Sequence, residues 1–345
     1  MRRNPQYRHT GYRQLEERYV SETLRRNPVA ATWMGEHAYD DLLPDTGAEA
    51  VEREIAGMKE MRTLWEHLPE RELSLDERLD RRLVLYQLQN DLFLQEDARR
   101  WRLGSDLARI IGDSLFPLFV RDFAPWHQRV ERMVSRLKAA PAFLMAGRSL
   151  FQAVPPLFMK VYLESAQRLP DLVDAIAGSI AGRVPEFLIH EFRKASLEAK
   201  KALHGHVHWL EQAIAPKAAG DWALGPAAFQ GLLTVRQLGL TPGDLRELGE
   251  STLQKCRSRM QALAKKMVGE PNRDAALRRI QQNAPKSFAQ ALDVYRDATA
   301  RCRAFIDLNG FATLPGEETL EIMETPSYMA HLIPFAAYIS PERSA

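Results

Sequence analysis

Two cysteines, Cys256 and Cys302, are all that the 345 residues carry. They are too few for a disulfide framework or a thiolate zinc site, and they read as reduced, buried thiols of a cytoplasmic protein. No run of about 18 apolar residues exists to cross a bilayer. The opening MRRNPQYRHTGYRQLEERYV has basic residues with no apolar stretch behind them, so it lacks the pattern of a secretory leader. Neither charge is in excess: 47 Lys+Arg stand against 45 Asp+Glu, leaving +2. That balance excludes a polybasic nucleic-acid arm or an acidic solvating tail, and no nucleic-acid or membrane partner is expected. The phosphate-cradling glycine loops and the Gly-x-Ser-x-Gly nucleophile turn are also missing. No fixed repeat of about 20–50 residues marks a solenoid.

What remains is a globular composition, 45% hydrophobic and 27% charged, with a helical period. Val51, Ile55, Met58, Met61, Leu64, Trp65 and Leu68 recur at three- and four-residue steps and so share one helix stripe. Ser74 and Glu77 form a capping box that opens a helix carrying Leu79, Leu83, Tyr86 and Phe93. Thr241, Pro242 and Asp244 open another, running to about Met267 and stopping by Gly269. Further helices are expected over roughly 10–26, 106–121, 126–139, 156–180, 185–214 and 286–308, the last ended by Gly310. Pro44, Pro69, Pro141, Pro155-Pro156, Pro170, Pro185 and the stretch Pro216 to Pro226 read as joints.

After Phe311 the helical period is lost. Thr319 to Met323 alternate polar and apolar residues, and Phe335 to Ile339 form a second apolar run. Both read as short strands. The expected fold is mainly α: an irregular array of antiparallel helices over residues 1–310, in one domain or two packed lobes, followed by a β-containing tail over 311–345. Two strands alone leave unpaired edges, so the tail reads as the start of a missing C-terminal half or as a dimerisation element.

Zinc hydrolysis is most economically built from His-Glu-x-x-His on a helix. His190-Glu191 begins that pattern, but Lys194 stands where the second ligand is required. His204, His208 and Glu211 share a helix face and are weak candidates for a metal; the same residues also fit a polar surface. His37, Tyr39, Asp40 and Asp41 bring an imidazole, a phenol and two carboxylates into one turn after Gly35. Such a turn can line a substrate groove or do acid–base work, and more often it caps local backbone amides. The arginines from Arg129 to Arg136 are interleaved with acidic and apolar positions and read as a solvated helix face.

The stretch Asn27-Pro-Val-Ala-Ala-Thr-Trp-Met-Gly-Glu-His-Ala-Tyr-Asp-Asp-Leu-Leu-Pro-Asp45 resembles the N-terminal region of the bacterial proteins grouped as domain of unknown function 885. Later pieces agree in order: Leu169-Pro-Asp171, Gly220-Asp-Trp-Ala-Leu-Gly225, Thr241-Pro-Gly-Asp-Leu245, Glu324-Thr-Pro-Ser-Tyr328 and Pro334-Phe-Ala-Ala-Tyr338. The resemblance implies a mostly helical, gluzincin-like zinc peptidase whose motif, His-Glu-Gly-x-Pro-Gly-His, lies beyond the matched region. No residue here matches that motif, so none inherits a catalytic or zinc-binding role. The chain is therefore expected to be the N-terminal helical portion of such an enzyme, not catalytic and holding no cofactor alone. Zinc is implied for the full-length family, with a C-terminal catalytic half and a peptide substrate as partners. The alternative is a stand-alone helical scaffold derived from such an enzyme.

Overall fold

A computed structural model describes Thr10 to Leu314 and, beyond them, residues 320–325, 333 and 336–338. The described residues divide into two compact units, one reaching Gly239 and the other spanning Leu240–Thr325. In the first unit lie α1 (Thr10–Arg26), α2 (Pro28–Met34), α3 (Ala48–Glu66), α4 (Leu75–Leu92), α5 (Leu107–Val120), α6 (Trp126–Gly147), α7 (Pro156–Ser179), α8 (Glu186–Trp209) and α9 (Gly225–Val235). The second unit holds α10 (Pro242–Val268), α11 (Arg273–Gln282) and α12 (Phe288–Asn309).

The expected starts and stops appear with their chemistry. Ser74 Oγ accepts from the Glu77 amide while Glu77 accepts from the Ser74 amide at 2.8 Å, and Thr241 and Asp244 repeat the exchange at the head of α10. Gly269 and Gly310 close α10 and α12 in the left-handed conformation that costs glycine no Cβ clash. Prolines are less decisive than the sequence suggests. Helix α6 runs through Pro141 and α7 through Pro170, although each proline removes a helical hydrogen bond at a cost of about 3 kcal/mol. Burial of Phe143 and Leu144 beyond the first, and of Leu172, Val173 and Ile176 beyond the second, offsets that cost.

Two hydrophobic clusters organise the first unit. The larger is built from the buried stripes of α5, α6, α7 and α8. The smaller joins α1, α3 and α4 around Trp65, which is fully buried and meets Tyr12 edge-on with ring centroids 5.7 Å apart. Helix α4 contributes Val84, Leu88 and Leu92 to it, whereas Leu79 and Leu83 are exposed. In the second unit, burial is confined to Ala264 and Ala276 among the described residues of its helices.

Three sequence expectations need correction. Among the described residues there is no β-strand: Leu320 to Met323 and Ala336 to Tyr338 carry none, while Thr319, Phe335 and Ile339 lie outside the described set. Alternation of polarity without a partner ladder does not make a strand, because backbone groups must find bonds. The one antiparallel bridge described joins Leu103 with Phe151 and involves no described residue of the tail. Cys256 and Cys302 are free, as expected, but exposed; they sit on α10 and α12, which bury almost nothing. Of the arginines of α6, only Arg132 lies on a solvated face. Arg129 and Arg136 are 2% and 0% exposed.

Candidate functional site

The turn at residues 35–43 is shaped by Gly35, whose φ of 86° is left-handed and whose amide closes α2 onto Ala31 and Thr32 carbonyls. The chain then winds through a 3₁₀ turn, His37–Tyr39, with Glu36 accepting from the Ala38 amide at 3.3 Å. This brings Asp40 inward until it is 2% exposed. One of its carboxylate oxygens accepts from Thr32 Oγ1 at 2.7 Å, and the other lies 2.7 Å from His37 Nδ1. The His37 ring stacks flat on Phe123, with centroids 3.6 Å apart and planes 7° apart.

Arg136, entering from α6, is the cation beneath this turn. Its Nε donates to the Leu42 carbonyl at 3.0 Å and Nη1 donates to the Ser114 carbonyl. Nη2 donates to Thr32 Oγ1 at 2.7 Å and lies 3.3 Å from the Tyr39 carbonyl. A planar fork suits this convergence as a point-charge ammonium would not. Burial lowers the Arg136 pKa to about 10, against the opposing pull of Asp40 and Asp41, so the guanidinium stays charged at neutral pH. Its neighbour on the same helix, Arg129, donates to the Leu118, Phe119 and Arg121 carbonyls at the end of α5 and pairs with Asp122 at 3.0 Å. There a cation meets the negative end of a helix.

The four residues singled out in this turn therefore differ. Asp40 is buried in a bonded network and His37 is bonded to it. Tyr39 is half-buried, its hydroxyl 3.5 Å from the Ser21 carbonyl, and Asp41 is half-buried. An Asp–His pair can move a proton when one imidazole edge meets substrate, but the far nitrogen of His37 is shielded from solvent. The arrangement fastens the turn to α2, α5 and α6. Sequence reasoning missed Arg136. The signal for it was its place, with Arg129 seven residues earlier, inside the stripe Val130, Met133, Leu137 and Ala140.

His204, His208 and Glu211 are all exposed, and a π turn over Leu210–Ile214 begins between the second and third. The wider turn takes Glu211 off the register that an uninterrupted α-helix would provide. No group of three His, Cys, Asp or Glu side chains among the described residues is arranged to hold a metal ion. His206, between the two exposed histidines, points inward. It is 2% exposed, stacks near Trp209 with centroids 5.5 Å apart, and burial lowers its pKa to about 4, with Arg148 adding to the effect. No described helix is long and apolar enough to cross a membrane.

The profile of a bacterial family of unknown function, DUF885, matches residues 28–345. A comparison with curated proteins found no match. Among solved structures, "a putative lipoprotein of unknown function from Shewanella oneidensis" superposes with a TM-score of 0.66 at 16% identity, covering 91% of this chain and 60% of that one. At that identity the likeness speaks for the fold. The chain spans about three-fifths of the length of this structural relative.

Proposed function

Since the chain belongs to the DUF885 family of bacterial proteins of unknown function, we propose that it is the helical N-terminal portion of a metallopeptidase-like protein, not catalytic alone and completed by a C-terminal half. The observation that carries this reading is the unit Leu240–Thr325. Its helices bury only two alanines while Leu253, Leu263, Ile280, Phe288 and Phe305 are exposed. Three helices with no large buried side chain cannot offset their own ordering entropy. Exposed apolar faces of this extent mark an interaction surface. The missing half, on the same natural chain or a separate one, covers these faces and brings the zinc motif, with peptide as substrate.

The alternative, a stand-alone scaffold, uses the same faces to pair two copies, with the residues beyond Phe311 contributing. We place the protein in the cytoplasm, where exposed thiols such as Cys256 and Cys302 stay reduced. A lipid anchor, which the description of the structural relative suggests, is the competing expectation, and cell fractionation separates the two.

Metal analysis and a peptidase assay test the reading, run with and without a polypeptide carrying His-Glu-Gly-x-Pro-Gly-His from the downstream reading frame. The chain alone is expected to retain no stoichiometric zinc after dialysis and to cleave no peptide, and the mixture to do both. A tightly held equivalent of zinc in the chain alone, abolished by His204→Ala, overturns it. A dimer that ignores the added polypeptide favours the scaffold.

A further inference from the structure

Between α1, α3 and α4 lies a cleft of about 390 Å³, within the size range of small-molecule sites. Its floor is apolar, made by Met58 and Leu88. Around that floor stand Arg26 from the last turn of α1, Glu54 from α3, Asp91 from α4, and the Tyr19 phenol. One wall is a π turn over Phe93–Asp97, which supplies Leu94 and Gln95; single π turns inside helical segments gather at functional sites.

Among the described residues no ion pair joins the charges in this cleft. Glu54 is half-buried, yet among the described residues its carboxylate makes neither a hydrogen bond nor an ion pair. Arg26 forms no ion pair either, and its Nε donates to the Glu22 carbonyl at 3.2 Å. Asp91 accepts from Gln87 Nε2 at 2.9 Å, which leaves its second oxygen available. Burial pushes the Glu54 carboxyl and the Tyr19 phenol above their usual values. For both groups Asp91 adds to the rise and Arg26 opposes it, so the four groups share one electrostatic environment. A desolvated carboxylate without a partner costs stability, and its presence in a cleft is the signature of a ligand-facing group.

We propose that this cleft binds a zwitterionic, α-amino-acid-like ligand: an ammonium against Glu54 and Asp91, a carboxylate against Arg26, and an apolar side chain on the floor. Two carboxylates face one guanidinium, so the cleft offers partners for both a cationic and an anionic group. A bare cation would face repulsion from Arg26, and a bare anion repulsion from the two acids. The zwitterion satisfies all three, and the apolar floor selects a hydrocarbon side chain over a polar one. This inference is independent of the peptidase reading.

Calorimetric titration of the full chain with L-leucine tests it, against two relatives that each lack one charge: isoamylamine (cation only) and N-acetyl-L-leucine (anion only). Leucine is expected to bind saturably, and each relative about tenfold more weakly or worse, the loss of one charged hydrogen bond. L-leucylglycine, run beside leucine, reports whether the longer zwitterion fits better. Glu54→Gln and Arg26→Gln are each expected to weaken leucine by about tenfold with unchanged circular dichroism. Absence of saturable binding by either zwitterion overturns the proposal. So does binding of a single-charge relative as tightly as leucine, a comparison on the unaltered chain that holds even if a variant fails to fold.

Discussion

Thr32 and Arg136, 104 residues apart in sequence, meet through a 2.7 Å hydrogen bond in which Arg136 Nη2 donates to the threonine hydroxyl. Thr32 lies 2.7 Å from Asp40 in turn. The residues that make the stretch Asn27 to Asp45 recognisable are thus in good part the acceptor set for one buried guanidinium: the Thr32 hydroxyl and the Tyr39 and Leu42 carbonyls. A motif that reads as a candidate site in sequence acts as a fastening in space.

Replacing that guanidinium should be expensive. Arg136→Met leaves the Leu42, Ser114 and Tyr39 carbonyls and the Thr32 hydroxyl without their donor, and the buried Asp40 without its nearby opposite charge. We expect a loss of about 3–5 kcal/mol, read as a lowered urea midpoint at unchanged slope. Arg136→Lys should also be destabilising, because an ammonium cannot reach acceptors on three sides. A lysine variant as stable as the parent would show that the fork geometry is irrelevant.

His206 sets an acid limit on stability. Its folded pKa is lowered from 6.5 to about 4 by burial, so between those values the unfolded chain binds the extra proton. The sign follows directly: the contribution is fully present above pH 6.5 and is lost as the pH falls toward 4. Its ceiling is roughly 3 kcal/mol. His206→Phe should flatten the stability profile in that window, and an unchanged slope would remove His206 as the cause.

Gly47 opens α3 with φ 102°, and a Cβ there would stand 2.8 Å from the Ala146 carbonyl oxygen. Both the backbone conformation and the contact oppose a side chain. Gly47→Ala should therefore cost about 1–3 kcal/mol, visible as a lower Tm.

Cys256 and Cys302 are both exposed. Under native conditions each should react with a water-soluble disulfide reagent without the lag that unfolding imposes. Protection of either until denaturant is added would place that face of α10 or α12 in an interface.

Ser74→Ala removes one arm of the capping box at the head of α4. The expected loss is about 1 kcal/mol, with the rest of the fold unaltered by circular dichroism.

The helices legible in sequence were those with local causes. The heads of α4 and α10 are written in four residues each, and the ends of α10 and α12 in single glycines. Helices α2, α9 and α11 were not read; they have 7, 11 and 10 residues, and α9 begins at the end of the stretch Pro216 to Pro226 that reads as a joint. The apolar face of α4 was misread as well. Leu79, Leu83, Tyr86 and Phe93 mark the helix in sequence, but Val84, Leu88 and Leu92 are what it buries against α1 and α3. The zwitterion cleft was invisible, since Arg26, Glu54 and Asp91 come from three helices and share no spacing.

By itself, then, the chain's order of residues determined its helical class, several helix limits, its balanced charge and its family resemblance, because each depends on neighbours within a turn or two or on pattern along the chain. Tertiary packing alone decided which side of each helix is wet, that Arg129 and Arg136 are buried, that Asp40 is a bonded anchor, and which charges remain uncompensated in a cleft. Burial and pairing are properties of surfaces brought together from distant positions, and no local spacing encodes which surface will arrive.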